Sequence, residues 1–170
     1  MSSATLDGKN PNPIVVKPQL SSRPDDLELI RKKQEALVLD DFDFDEDMVY
    51  DIISTIKDPE HPLSLEQLNV VSPHLIEVDN DNYYIKVEFT PTIPNCSMAT
   101  LIGLMIRTKL NRNIPNKYKV DVYIEKGKHD NQKEISKQLN DKERYLAAME
   151  QEHLSNIVNE GIKDNTFLYR

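Results

Sequence analysis

Ser97-Met98-Ala99-Thr100-Leu101-Ile102-Gly103-Leu104-Met105-Ile106-Arg107-Thr108-Lys109-Leu110-Asn111-Arg112 is the stretch on which the fold turns. Its apolar residues, Met98, Leu101, Ile102, Leu104, Met105, Ile106 and Leu110, surround most of the middle of a helix instead of forming one stripe, and such a helix is buried on most sides. Pro115 ends it. Before it, Tyr83, Ile85, Val87 and Phe89 alternate with Tyr84, Lys86 and Glu88; after it, Tyr118, Val120, Val122 and Ile124 alternate with Lys119, Asp121, Tyr123 and Glu125, up to Gly127. Period two marks strands with one buried face.

Working outward, Asn80-Asp81-Asn82 is a turn signal, and Leu68 to Val78 reads as an earlier strand interrupted by Pro73, hence an edge or a bulge. The two form a hairpin, so the order is strand, strand, helix, strand. Upstream, Asp45, Glu46 and Asp47 suit a helix N-terminus ahead of Met48, Val49, Ile52, Ile53 and Ile56, with Asp58-Pro59 as the stop. Downstream, a short helix is expected near Lys133 to Leu139. Asn140 with Glu143 then looks like a capping box for a run carrying Tyr145, Leu146, Met149, Leu154, Ile157 and Val158, with Gly161 as its end. The fold class is α+β: a small antiparallel or mixed three-stranded sheet packed on a central helix, with an N-terminal helix and C-terminal helices.

The domain is expected over residues 45–163, with residues 164–170 as a C-terminal tail. Residues 1–44 read as a disordered acidic tail. Pro11, Pro13, Pro18 and Pro24 stand there among small polar residues, and Asp40 to Asp47 holds six acids around Phe42 and Phe44, read as a solvated linker. With 170 residues, one core is expected, and the 38% of hydrophobic residues suffice for it without filling the whole chain.

The net charge of -8 disfavours phosphate backbones and anionic lipid. Met98 to Ile106, the longest apolar run, is too short to span a bilayer, and Met1 to Ser22 has no apolar signal region, so the chain reads as soluble and intracellular. The single cysteine excludes an internal disulfide and suits a reducing compartment. A cluster usually takes about four cysteine ligands, so one thiol does not retain one without other donors.

That cysteine stands in Phe89-Thr90-Pro91-Thr92-Ile93-Pro94-Asn95-Cys96-Ser97-Met98-Ala99-Thr100, where two prolines stiffen the approach to the helix. A thiol at a helix N-terminus meets unpaired backbone N–H groups and the positive dipole end, which favour the thiolate. Cys96 is thus a candidate reactive thiol, with Thr90, Pro91, Pro94, Asn95, Ser97 and Thr100 as its supporting loop and helix start. Its other reading is a small apolar filler. The four histidines lack zinc spacing, so no stable metal site is expected. His61 or His129 as base for a Cys96 nucleophile would make the chain a thiol-dependent enzyme. No phosphate loop or nucleophile elbow appears.

Asp58-Pro59-Glu60-His61-Pro62-Leu63-Ser64-Leu65-Glu66-Gln67-Leu68, the Thr90 to Leu104 stretch and Lys137-Gln138-Leu139-Asn140-Asp141-Lys142-Glu143-Arg144 together resemble the eukaryotic targeting-subunit family of cytosolic iron–sulfur assembly, the MIP18 type. The resemblance runs from about Asp47 to Gly161. It implies a non-enzymatic adaptor that joins a WD-repeat propeller protein to a HEAT-repeat scaffold. The complex would deliver clusters to cytosolic and nuclear apoproteins such as DNA polymerases and helicases, with an indirect role in DNA metabolism and chromosome segregation.

It further implies a cytoplasmic location shared with the nucleus, no tightly bound cofactor, at most a transient iron–sulfur cluster at Cys96, and no direct nucleic-acid or membrane contact. A homodimer stays open. The family's reactive cysteine aligns with Cys96; Glu60, His61, Gly127 and His129 become candidate partner-contact or site-adjacent residues. This chain has Asn95 where the family often has His, and Glu125-Lys126 where it has Thr-Pro, so a role for that neighbouring His fails here.

Overall fold

The computed structural model describes residues 43–92 and 98–163. Helix α1 (Glu46–Ser54) opens on Asp45, whose carboxylate accepts a hydrogen bond from the Met48 N–H at 2.7 Å, with Glu46 and Asp47 at the positive end of the dipole. A single 3₁₀ turn (Pro73–Leu75) leads into β1 (Ile76–Asp79), which pairs antiparallel with β2 (Tyr84–Phe89). Helix α2 (Met98–Asn113) crosses to β3 (Lys119–Ile124), which pairs parallel with β2. Three helices follow: α3 (Gln132–Asn140), α4 (Lys142–Glu150) and α5 (Glu152–Gly161). The sheet order is β1-β2-β3, and of the antiparallel and mixed sheets left open by the sequence it is the mixed one.

The core lies between one sheet face and α2. Ile85, Val87 and Phe89 from β2 and Val120, Val122 and Ile124 from β3 are buried, together with Leu101, Ile102, Leu104, Met105, Ile106 and Leu110 from α2. Each such aliphatic or aromatic side chain contributes about 1.5–3 kcal/mol when fully removed from water. Two glycines set how closely the helices approach α2. A Cβ on Gly103 would stand 2.3 Å from Leu139 Cδ1 of α3, and one on Gly161 of α5 would stand 2.5 Å from Met105 Cε. Phe44 is 2% exposed and meets the Tyr118 ring edge-on at 5.3 Å, while its backbone N–H and C=O both pair with the Asn80 amide. The acidic run around it hides this anchor.

Four expectations are corrected. The strand over Leu68 to Val78 shrinks to Ile76–Asp79, because Asn69 takes a left-handed φ of 54° and Pro73 starts a 3₁₀ turn. Tyr83 does not belong to the buried alternation: it closes the turn with φ 50°, is 41% exposed, and stacks edge-on against Tyr118 at 5.4 Å. Helix α1 stops at Ser54, ahead of Asp58-Pro59, because the chain turns to let Ile56 C=O accept from the Leu65 N–H at 2.8 Å.

The fourth concerns Asn140, which is not the cap. Asp141 caps α4, accepting from Glu143 N–H at 2.9 Å and Arg144 N–H at 3.2 Å. Asn140 instead lays its amide along β3, accepting from Val122 N–H at 2.8 Å and donating to Val122 C=O at 2.9 Å.

Candidate functional site at the carboxyl ends of β2 and β3

Because β2 and β3 run parallel, their carboxyl ends lie at one end of the sheet, where open α/β sheets commonly place their sites. The chain leaves β2 there at Thr90 and resumes in the description at Met98, the first residue of α2. Pro94, Asn95, Cys96 and Ser97 lie outside the described residues. Their neighbours are defined. Thr90 N–H donates to Val70 C=O at 2.8 Å, and its hydroxyl donates to the Glu125 carboxylate, while Glu125 N–H donates to Phe89 C=O at 2.9 Å. Pro91 is buried, and Thr100 sits half-buried in the first turn of α2. The two strand ends are therefore tied together by a side chain that the sequence marks as a polar position of the third strand and as a departure from a family pattern, with no sign of its partner.

After β3 the chain turns through Gly127, whose φ of 82° favours glycine and whose N–H donates to Gln132 Oε1 at 2.6 Å. His129 is 8% exposed, and its Nδ1 accepts from the Asn131 N–H at 3.0 Å, which places the proton of the neutral ring on Nε2. Glu60 and His61 are exposed on a different loop, where both backbone N–H groups donate to Asp58 Oδ1, at 2.8 and 2.9 Å. So the topology brings Thr90, Glu125, Gly127 and His129 to the carboxyl end of the strands, and holds Glu60 and His61 on their own Asp58-centred turn. Among the described residues, no three His, Cys, Asp or Glu side chains are grouped as metal ligands.

Two clusters had no local signal. On the sheet face away from α2, the Asp121 carboxylate accepts from the Tyr84 hydroxyl at 3.1 Å, receives a longer bond from Tyr123 at 3.4 Å, and pairs with Lys119 Nζ at 3.0 Å. Burial, followed by the Asp121 charge and hydrogen bond, pushes the Tyr84 hydroxyl well above the ordinary phenol range. At the other cluster, Arg107 of α2 donates to the Leu139 C=O and to Asn140 Oδ1, and lies over the Tyr145 ring at 5.2 Å. Burial lowers its guanidinium against an opposing pull from Asp121. Arg107 thereby locks α3 and α4 onto α2, and steadies the Asn140 amide on β3.

A family model described as iron-sulfur cluster assembly protein matches residues 46–122, from α1 into β3 and across the Cys96 loop. The chain is 44% identical over 160 residues to "Cytosolic iron-sulfur assembly component 2B" of Dictyostelium discoideum, covering 92% of this chain and 98% of that protein. It is 44% identical over 147 residues to "MIP18 family protein galla-2" of Drosophila melanogaster, covering 86% and 93%. The chain belongs to the MIP18 family. It is also 52% identical over 112 residues to the mouse "Cytosolic iron-sulfur assembly component 2B", covering 66% of this chain and 69% of that one. The MIP18 resemblance read from the three sequence motifs therefore holds, and the family match spans β2, α2 and β3 as far as Val122. Glu125, His129 and Asn140 lie beyond it.

Proposed function

We propose that this MIP18-family chain is an adaptor subunit of cytosolic iron–sulfur assembly, acting by binding and presentation and not as an enzyme. The cluster is its cargo. Cys96 offers one soft thiolate donor to a cluster in passage, and a single thiolate leaves the remaining iron positions to donors from elsewhere, so that the cluster moves on to an apoprotein. The partners in this reading are a WD-repeat propeller protein and a HEAT-repeat scaffold, and the setting is the cytosol, extending to nuclear clients.

One observation carries the proposal: β2 and β3 are parallel, so the segment with the chain's sole cysteine connects the carboxyl end of β2 to the start of α2, beside the Thr90–Glu125 tie. The names of the relatives support the assembly role, and among the described residues no helix is long and apolar enough to cross a membrane.

The test is Cys96→Ser, which nearly preserves size. The variant is expected to copurify with the propeller and scaffold proteins as the wild type does, while radioiron incorporation into cytosolic iron–sulfur clients falls to background. Full incorporation by the variant would overturn the thiol's role. Purification without either large partner, combined with turnover of a small substrate by the isolated chain, would overturn the adaptor reading in favour of a thiol enzyme.

A further inference from the structure

A groove of about 630 Å³ runs between α3 and the outer face of the sheet at the carboxyl ends of β2 and β3. Tyr123, Ile124 and Ser136 contribute to its lining, and Lys126, Lys133 and Lys137 stand along it. These three lysines are exposed and make no ion pair among the described residues. The acids of the groove are already engaged. Glu88 holds Lys86 at 3.0 Å, and Asp141 is committed to the first N–H groups of α4. Glu134, in the first turn of α3, pairs with Arg144 at 2.9 Å. The N-terminus of α3 adds to the same sign, since Asn131 provides no side-chain cap. In a chain of net charge -8, this groove thus sets three unengaged positive charges beside the Tyr123 ring.

We propose that this groove docks an extended acidic segment of a partner protein, with acidic and apolar residues alternating. In an extended chain successive side chains point to opposite sides, so the acids face Lys126, Lys133 and Lys137 while the apolar residues cover the half-exposed Tyr123 ring. Docking is by side chains. Strand addition is blocked, because Asn140 already occupies the N–H and C=O of Val122. The inference rests on the adaptor reading and deepens it, since the groove opens at the same end of the sheet as the Cys96 connection and its occupant is a segment of the client apoprotein presented there.

The experiment uses the full chain and a capped peptide alternating Asp with Phe and Leu, followed by calorimetry at low and moderate salt. Its Asn and Lys counterparts are the comparison probes. The Asp peptide is expected to bind with an affinity that falls as salt rises. The double variant Lys133→Glu with Lys137→Glu should weaken it by roughly tenfold or more. Lys163→Glu, whose lysine pairs with Glu160 on α5 at 2.9 Å, serves as the control and leaves binding unchanged. Circular dichroism verifies that the exposed-site variants fold.

Equal binding of the Asn or Lys peptide, an affinity indifferent to the double reversal, or no binding by any peptide overturns the proposal. Because the assay contains no cluster and no large partner, Cys96→Ser must bind the peptide like the wild type. Loss of client maturation in Cys96→Ser without peptide binding in the wild type would therefore sink the groove alone, and the reverse pattern would sink the thiol alone.

Discussion

The two faces of the same three strands do different work. Toward α2, Ile85, Val87 and Phe89 are fully buried, so any change in volume there is felt by packed neighbours. Away from it, Tyr84, Lys86, Glu88 and Tyr123 are half-exposed and bound pairwise: Lys86 reaches Glu77 at 3.1 Å and Glu88 at 3.0 Å, and Asp121 gathers Tyr84, Tyr123 and Lys119. Adjacent positions on one strand therefore serve opposite ends of the energy scale. The inner face decides whether the domain exists, and the outer face determines the charge it presents.

Phe89→Ala should break the inner face outright. It is expected to cost about 3–5 kcal/mol, a large part of the roughly 5–15 kcal/mol that holds a domain folded, read as a lowered midpoint in urea unfolding. Asn140→Ala tests the seam between the sheet and α3. It leaves Val122 N–H and C=O without their partner and should cost about 1–3 kcal/mol by the same measurement. A loss near zero would mean that water replaces the amide without penalty.

The smallest effect belongs to the outer face. The folded-state pKa of Tyr84 is raised above its ordinary 10.0, so the neutral hydroxyl's contribution is complete below that pH and is lost as pH climbs through the raised value. Asp121→Asn removes the charge behind part of that shift. Tyrosinate absorbance titration should then show Tyr84 ionising at lower pH, with a smaller loss of stability in alkali. An unchanged titration would assign the whole shift to burial.

The inner face was legible because its causes are local: period two in β2 and β3 and the all-round apolarity of α2 place Ile85, Val122 and Met105 with no knowledge of partners. Misreadings arose where a residue answers to something remote in sequence. Asn140 matches a capping box with Glu143, yet its amide serves Val122, 18 positions away. Tyr83 continues the alternation on paper, but the turn at Asn80 takes its backbone into the left-handed region. Glu125, visible as a polar strand position and as a departure from a family pattern, binds Thr90 from 35 positions away. Of the candidate site, Thr90, Gly127 and His129 come to one end of the sheet by topology, Glu60 and His61 stay on another loop, and Cys96 with its immediate neighbours stands outside the described residues. The short-range code names the strands and the central helix; pairings of distant polar side chains have no such code.

Asn140 imposes an order on synthesis. Its amide presents one donor and one acceptor to Val122, as a peptide unit of a fourth strand would, and so ends the sheet at β3. The ribosome, however, releases β3 before α3. A nascent chain that has emerged as far as Ile124 but not Asn140 carries a valine-rich strand with its outer hydrogen-bonding groups free, the condition under which strands from neighbouring chains add to one another. The interval closes as two side chains of α3 arrive, Ser136, whose hydroxyl accepts from the Ile124 N–H at 3.4 Å, and then Asn140. A chain that has emerged past Asn140 has the Val122 groups of β3 already paired within itself.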